Sequence, residues 1–228
     1  MTSAPDTSPA TAPGPQRGPV LLVPVIAYAV LTGAAVIVNR FTPRPDVIAQ
    51  TALAYDHAQG AVITLGSFLL FASAVPLTIT VAVLYRRLRA LGITAPGATM
   101  TLTGGVLAAS ALTMSGLFGW AGARLGADAT PSLARALADL SFLTGGPGFV
   151  VMFALLIAGL SVPALLTGLL PRPLAWIGLA LGVVGALSTL TLLDLRFAVT
   201  LPVVRFGGAL WLIAAAALLA RTRTPRRP

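Results

Sequence analysis

The chain has 228 residues, 57% of them hydrophobic and only 9% charged, with a mean hydropathy of +0.92. A water-soluble domain needs polar side chains over most of its exterior and about a quarter of its residues charged, so this composition selects lipid as solvent. The 15 basic residues are all arginine and the 6 acidic ones all aspartate, and the +9 charge sits between or after apolar runs rather than along one face. That pattern argues against a nucleic-acid partner and marks the arginines as topology determinants.

In chain order, residues 1–18 (MTSAPDTSPATAPGPQRG) are rich in Pro, Ala, Thr and Ser. They lack an apolar period with which to offset chain entropy, which predicts a disordered tail. The run from Pro19 to Val38 is too long for the apolar core of a secretory signal and reads as a first membrane helix. A helix rising about 1.5 Å per residue needs about 20 apolar residues to cross about 30 Å of hydrocarbon. Five more runs meet that length: Ala61 to Tyr85, Ala98 to Trp120, Gly148 to Leu170, Leu174 to Leu193 and Thr200 to Ala220. The reading is an all-α, polytopic bundle of six spans over residues 19–220, followed by a basic tail over 221–228.

Arginine excess marks the cytoplasmic side of such a protein. With the N-terminus inside, the inner set is Arg17, Arg86, Arg87, Arg89, Arg172, Arg221, Arg223, Arg226 and Arg227, nine in all. The outer set is Arg40, Arg44, Arg124, Arg135 and Arg196, five in all. Both termini are therefore expected in the cytoplasm and the chain in the plasma membrane. The Ala, Arg, Gly and Pro excess without Lys matches a GC-rich, bacterial source.

Two outer loops have helical signatures of their own. Pro45 followed by DVIAQTALAYDHAQG predicts a helix that starts near Asp46 and runs into the second span. Thr130 and Pro131 form an N-cap and first position for SLARALADLSFL, with Arg135 and Asp139 one turn apart. Residues 132–143 then either lie at the membrane surface or lengthen the fourth span, and the TGGPG at Thr144 to Gly148 predicts a break or kink.

Lipid-embedded helices associate through small residues and side-chain hydrogen bonds. Gly178, Gly182, Gly185 and Ser188 give the fifth span one smooth face; Gly60, Thr64, Ser67, Ala74 and Thr78 do so on the second, and Gly105, Ala109, Leu112 and Gly116 on the third. These faces bury one another within one bundle, or serve a homo-oligomer or partner helix through Gly178, Gly182 and Gly185.

Ionisable groups within hydrocarbon are costly enough to be site candidates. Arg205 lies about a turn into the sixth span, and a short turn would let Asp194 pair with it; otherwise it faces an outward-open cavity and binds an anion or lipid headgroup. Asp56 and His57, at the outer mouth of the second span, are adjacent helical residues that point about 100° apart, so acid–base work would need a third group such as Asp139 or Asp194. The absence of cysteine and the single histidine exclude thiolate chemistry and Cys- or His-cluster metal sites. No dinucleotide, phosphate-loop or hydrolase motif occurs, so neither metal nor cofactor is expected.

The stretch PRPDVIAQTALAYDHAQGAVITLGSFLLF, then RRLR, and later TGLLPRPLAWIGLALGVVGAL resemble a family of bacterial integral membrane proteins known only as a domain of unknown function. The resemblance spans roughly residues 20 to 220. It implies a six-helix bundle with an extended outer helix before the second span. It also implies a Leu-Pro-Arg-x-Leu-x-Trp turn before the fifth, here Leu170, Pro171, Arg172, Leu174 and Trp176. It implies a topology and no activity. The leading expectation is thus a non-enzymatic accessory or sensory membrane subunit that binds lipid or a partner. The alternatives are a small-molecule transporter or ligand-binding channel with an outward-facing polar cavity, kinked at Pro76, Pro147 and Pro163, and an intramembrane enzyme built on Asp56, His57 and Asp139.

Overall fold

The computed structural model describes residues 21–43, 47–93 and 96–221, and every regular element among them is helical. The expected tail over 1–18, the start of the Pro45 helix and residues 222–228 lie outside the described residues. The helices are α1 (Leu22–Val38), α2 (Ala49–Ala90), α3 (Pro96–Gly122), α4 (Pro131–Leu143), α5 (Phe149–Thr167), α6 (Arg172–Leu187) and α7 (Thr200–Arg221). Five helical segments are long and apolar enough to cross a membrane, one of them the continuous Pro131–Thr167; α1 is a shorter apolar helix of 17 residues. The bundle's flanks are apolar, with Phe68 63%, Leu166 79% and Leu210 69% exposed. A surface of that kind is at rest only in lipid.

Close approach at glycine explains the packing order. A Cβ on Gly104 of α3 would stand 2.6 Å from the Leu156 amide of α5, and one on Gly97 would stand 2.7 Å from the Gly159 carbonyl. On another side of α3, Gly116 would meet the Ser67 carbonyl of α2 at 2.7 Å, while Gly105 lies under Val81. α3 is therefore the central rod, with α2 and α5 antiparallel on either side. The α6 stripe is filled from within the chain: Gly178 packs on Ser161 and Trp211, Gly182 on Ala158 and Gly185 on Ala154. The Trp211 indole also donates to the Leu174 carbonyl at 2.7 Å, tying α7 to the start of α6.

Three stretches have a local reason for their shape, and the first two follow expected readings: a helix that runs into the second span, and residues 132–143 joined to the next span. α2 is one helix of 42 residues with a kink at Gln59, where φ −121° and ψ 21° leave the helical range. Residues 132–143 lengthen the following span, because Thr144–Gly148 continues the rod as a single π-helical turn instead of breaking it. The fifth apolar run does not stay α-helical to Leu193. The Ser188 and Thr189 hydroxyls bond back to the Val184 and Ala186 carbonyls at 3.1 and 2.7 Å. The chain there tightens into 3-10 turns at Ser188–Leu192 and Leu195–Val199.

Antiparallel passage segregates the charges. Arg86, Arg87, Arg89 and Arg172 gather at one end, whereas Asp56, Asp128, Asp139 and Asp194 gather at the other with Arg40, Arg124, Arg135 and Arg196.

Candidate functional site

At the aspartate-bearing end a cavity of about 390 Å³ opens between the end of α1, the first half of α2, the last half of α3, α4 and the start of α7. Asp56, Asp139 and Arg205 all line it, together with Arg40, Tyr55 and Arg135. The rest of its wall is largely apolar, including Val36, Ile63, Leu70, Phe118, Phe142 and Leu201. A polar girdle with an apolar wall is the usual composition of a small-molecule site, and the volume falls at the lower end of such sites.

Each polar group is held by its local structure. Arg135 and Asp139 sit one turn apart on α4, so the Arg135 Nε donates to both Asp139 oxygens at 2.9 Å. A second guanidinium nitrogen of Arg135 donates to the Val47 carbonyl, which pins the segment after α1 across the mouth. Lower down, Ser115 of α3 and Ser141 of α4 bond reciprocally: the Ser115 hydroxyl donates to the Ser141 carbonyl at 2.8 Å and the Ser141 hydroxyl to the Ser115 carbonyl at 3.0 Å. Asp56 lies half-buried, with Gly122 of α3 facing its carboxylate.

Arg205 is held by the π turn. In an unbroken α-helix the Phe149 amide would donate to the Gly145 carbonyl four residues back. Here it donates to Thr144 and Gly146 instead, passing over Gly145. The skipped carbonyl accepts from a terminal guanidinium nitrogen of Arg205, and the guanidinium carbon stands 5.3 Å from the centre of the Phe149 ring. Phe149 stacks on Phe153 at 5.2 Å, and Phe153 packs against Tyr28 of α1 at 5.7 Å. The Arg205 Nε, the Tyr28 hydroxyl and the Thr32 hydroxyl are all buried without a completed hydrogen bond.

Of the five residues singled out from sequence, the cavity thus gathers Asp56, Asp139 and Arg205 and leaves out His57 and Asp194. The expected Asp194–Arg205 pair is not formed. Asp194 is exposed and accepts the Arg196 backbone amide at 2.8 Å, capping the 3-10 turn that follows it. That turn occupies the connection that would have let the two side chains meet. His57 donates from Nε2 to the Gly126 carbonyl at 3.3 Å on the exposed rim, so no acid–base pair with Asp56 faces the cavity. Tyr28, Thr32, Ser115, Ser141 and Gly145 were not singled out. Only Tyr28, a lone phenol inside an apolar run, carried a signal that could have found it. Among the described residues no group of three or more His, Cys, Asp or Glu could hold a metal.

The fold and this site define a helical membrane protein with a polar cavity at one end. No family model, curated protein or solved structure matches the chain.

Proposed function

We propose that the chain is a six-span plasma-membrane protein, both termini cytoplasmic, that holds a small molecule in a cavity facing the outside. The orientation rests on the arginine excess at the Arg86–Arg89 and Arg172 end, the side that bacterial membranes keep in the cytoplasm. The function rests on one observation: Asp56, Asp139 and Arg205, from three different helices, border a single cavity. Convergence of that kind favours a transporter or ligand receptor over an accessory subunit that works only through its lipid-facing surface. An intramembrane enzyme has less support, since His57 stays on the rim.

The absence of cysteine permits a direct test, because any cysteine introduced is the only one present. Ala138→Cys lines the cavity and Ala90→Cys is exposed at the far end. On intact cells a membrane-impermeant maleimide is expected to label the first and to reach the second only after the membrane is opened. The reverse pattern overturns the orientation, and an Ala138→Cys chain that resists reagent from both sides overturns the cavity.

A further inference from the structure

Arg205 is a cation without a carboxylate partner. Within the cavity Arg135 pairs with Asp139, which neutralises those two charges against each other. Asp56 is too far away to serve. It faces Gly122, whereas the Gly145 carbonyl that holds Arg205 lies at the level of Ser115, seven residues deeper on α3 and so about 10 Å along the axis. The Tyr28 ring lies further along the same aromatic row, against Phe153, which stacks on the Phe149 ring beside Arg205.

The site therefore has a donor to spare. One terminal nitrogen of Arg205 is used on Gly145, while its Nε stays buried and unfilled; the buried Tyr28 and Thr32 hydroxyls of α1 lie outside the cavity lining. Arginine offers five N–H groups and no acceptor. An unfilled buried donor forfeits its hydration, and a lone charge inside a bilayer is costlier still. An anion rich in acceptor oxygens removes both penalties. The wall is mostly apolar, so most of the ligand is apolar, and the other charged groups on it are Arg40, Asp56 and the Arg135–Asp139 pair.

We infer that the cavity is a binding site for a small, largely apolar carboxylate, its oxygens held by Arg205. This rests on the cavity reading above and names its ligand class. A carboxylate of this kind reaches the site either as a free acid from water or as a fatty acid from the outer leaflet. Ordered water on Arg205 is the competing occupant.

The experiment measures equilibrium binding to the full chain in lipid nanodiscs, with benzoate as the soluble probe and palmitate as the membrane-borne one. Benzamide and benzylammonium serve as neutral and cationic controls. Saturable binding of benzoate or palmitate is expected, whichever binds tighter naming the source, and at least tenfold weaker binding of both controls. Arg205→Gln should abolish binding, and Arg205→Lys, which keeps a cation at that wall, should retain the preference for the acids over benzamide. Benzamide binding as tightly as benzoate would overturn the assignment, as would unchanged affinity in Arg205→Gln; where Arg205→Gln does not fold, loss of the preference in a folded Arg205→Lys chain would overturn it as well. Failure of both acids to bind, with Ala138→Cys still labelled from outside, overturns the ligand class and leaves the cavity reading standing. Failure of the otherwise unaltered Ala138→Cys chain to be labelled from either side overturns both.

Discussion

Gly104→Ala tests the packing that builds the bundle around α3. The added methyl would lie 2.6 Å from the Leu156 amide nitrogen, 2.9 Å from the Met152 carbonyl oxygen and 3.0 Å from the Leu155 carbonyl carbon, all backbone atoms. No rotamer change can relieve those contacts. Restoring an ordinary separation of 3.4 Å from the nearest atom means moving α3 off α5 by about 0.8 Å. Overpacking of that size costs about 1–3 kcal/mol. Gly33→Ala on α1 is the control: nothing stands within 4 Å of its added methyl, and alanine is the better helix former by about 1 kcal/mol. Unfolding both variants in mixed micelles, followed by tryptophan fluorescence, should move the midpoint down for Gly104→Ala and leave it level or raised for Gly33→Ala. Equal midpoints for Gly104→Ala and the parent would refute the close α3–α5 approach.

Ser115→Ala and Ser141→Ala each remove one of two reciprocal hydrogen bonds, so each should cost about 0.6 kcal/mol, the usual worth of an interhelical bond in a membrane; a double variant costing no more than either single would show that the pair acts as one unit. Arg135→Gln breaks a pair whose side chains are 29% and 37% exposed, so after solvent screening stability should fall by less than about 1 kcal/mol. It also releases the Val47 carbonyl, and amide exchange over residues 47–52 should quicken; unchanged exchange counts against the pinning role. Pro147→Ala removes the ring that crowds the Leu143 carbonyl and lets the turn relax toward α geometry, in which the Phe149 amide reaches Gly145, so Arg205→Met should cost at least about 0.5 kcal/mol less in that background than alone. Additive costs would show that the turn and the arginine are independent.

The helical rods were legible because apolar length is a property of composition, and composition alone decides between lipid and water. The extended α2 and the Pro131 helix start were legible for a similar reason, since proline and small polar residues act within one turn. Thr130 does not cap with its side chain as expected; its hydroxyl pairs with Ser132 at 3.1 Å. What escaped depended on distance in sequence. Asp194 was matched to Arg205 because the two lie close along the chain, yet a five-residue 3-10 turn separates them, and the arginine's actual acceptor is Gly145, sixty residues away. Of the five expected site residues, Asp56, Asp139 and Arg205 border one cavity, whereas His57 and Asp194 do not. Tyr28 and Thr32 escaped because in one dimension they are ordinary members of an apolar helix.

The π turn and Arg205 explain each other. A helix that runs unbroken from Pro131 to Thr167 covers 37 residues, about 55 Å, so one end must project well beyond about 30 Å of hydrocarbon. At the level where such a rod enters the apolar layer, every backbone carbonyl has to be satisfied from within the protein. The Phe149 amide skips Gly145 in the π turn, so that carbonyl is left facing the interior. Arg205 supplies the donor, at the expense of carrying a full charge to the same depth. A neutral donor such as glutamine or serine would satisfy that carbonyl without the charge. A cation makes physical sense there if something else in the site uses its charge, and what the described residues supply is the Phe149 ring and no carboxylate. The carboxylate ligand proposed above would supply that negative charge, since Arg205 borders the cavity.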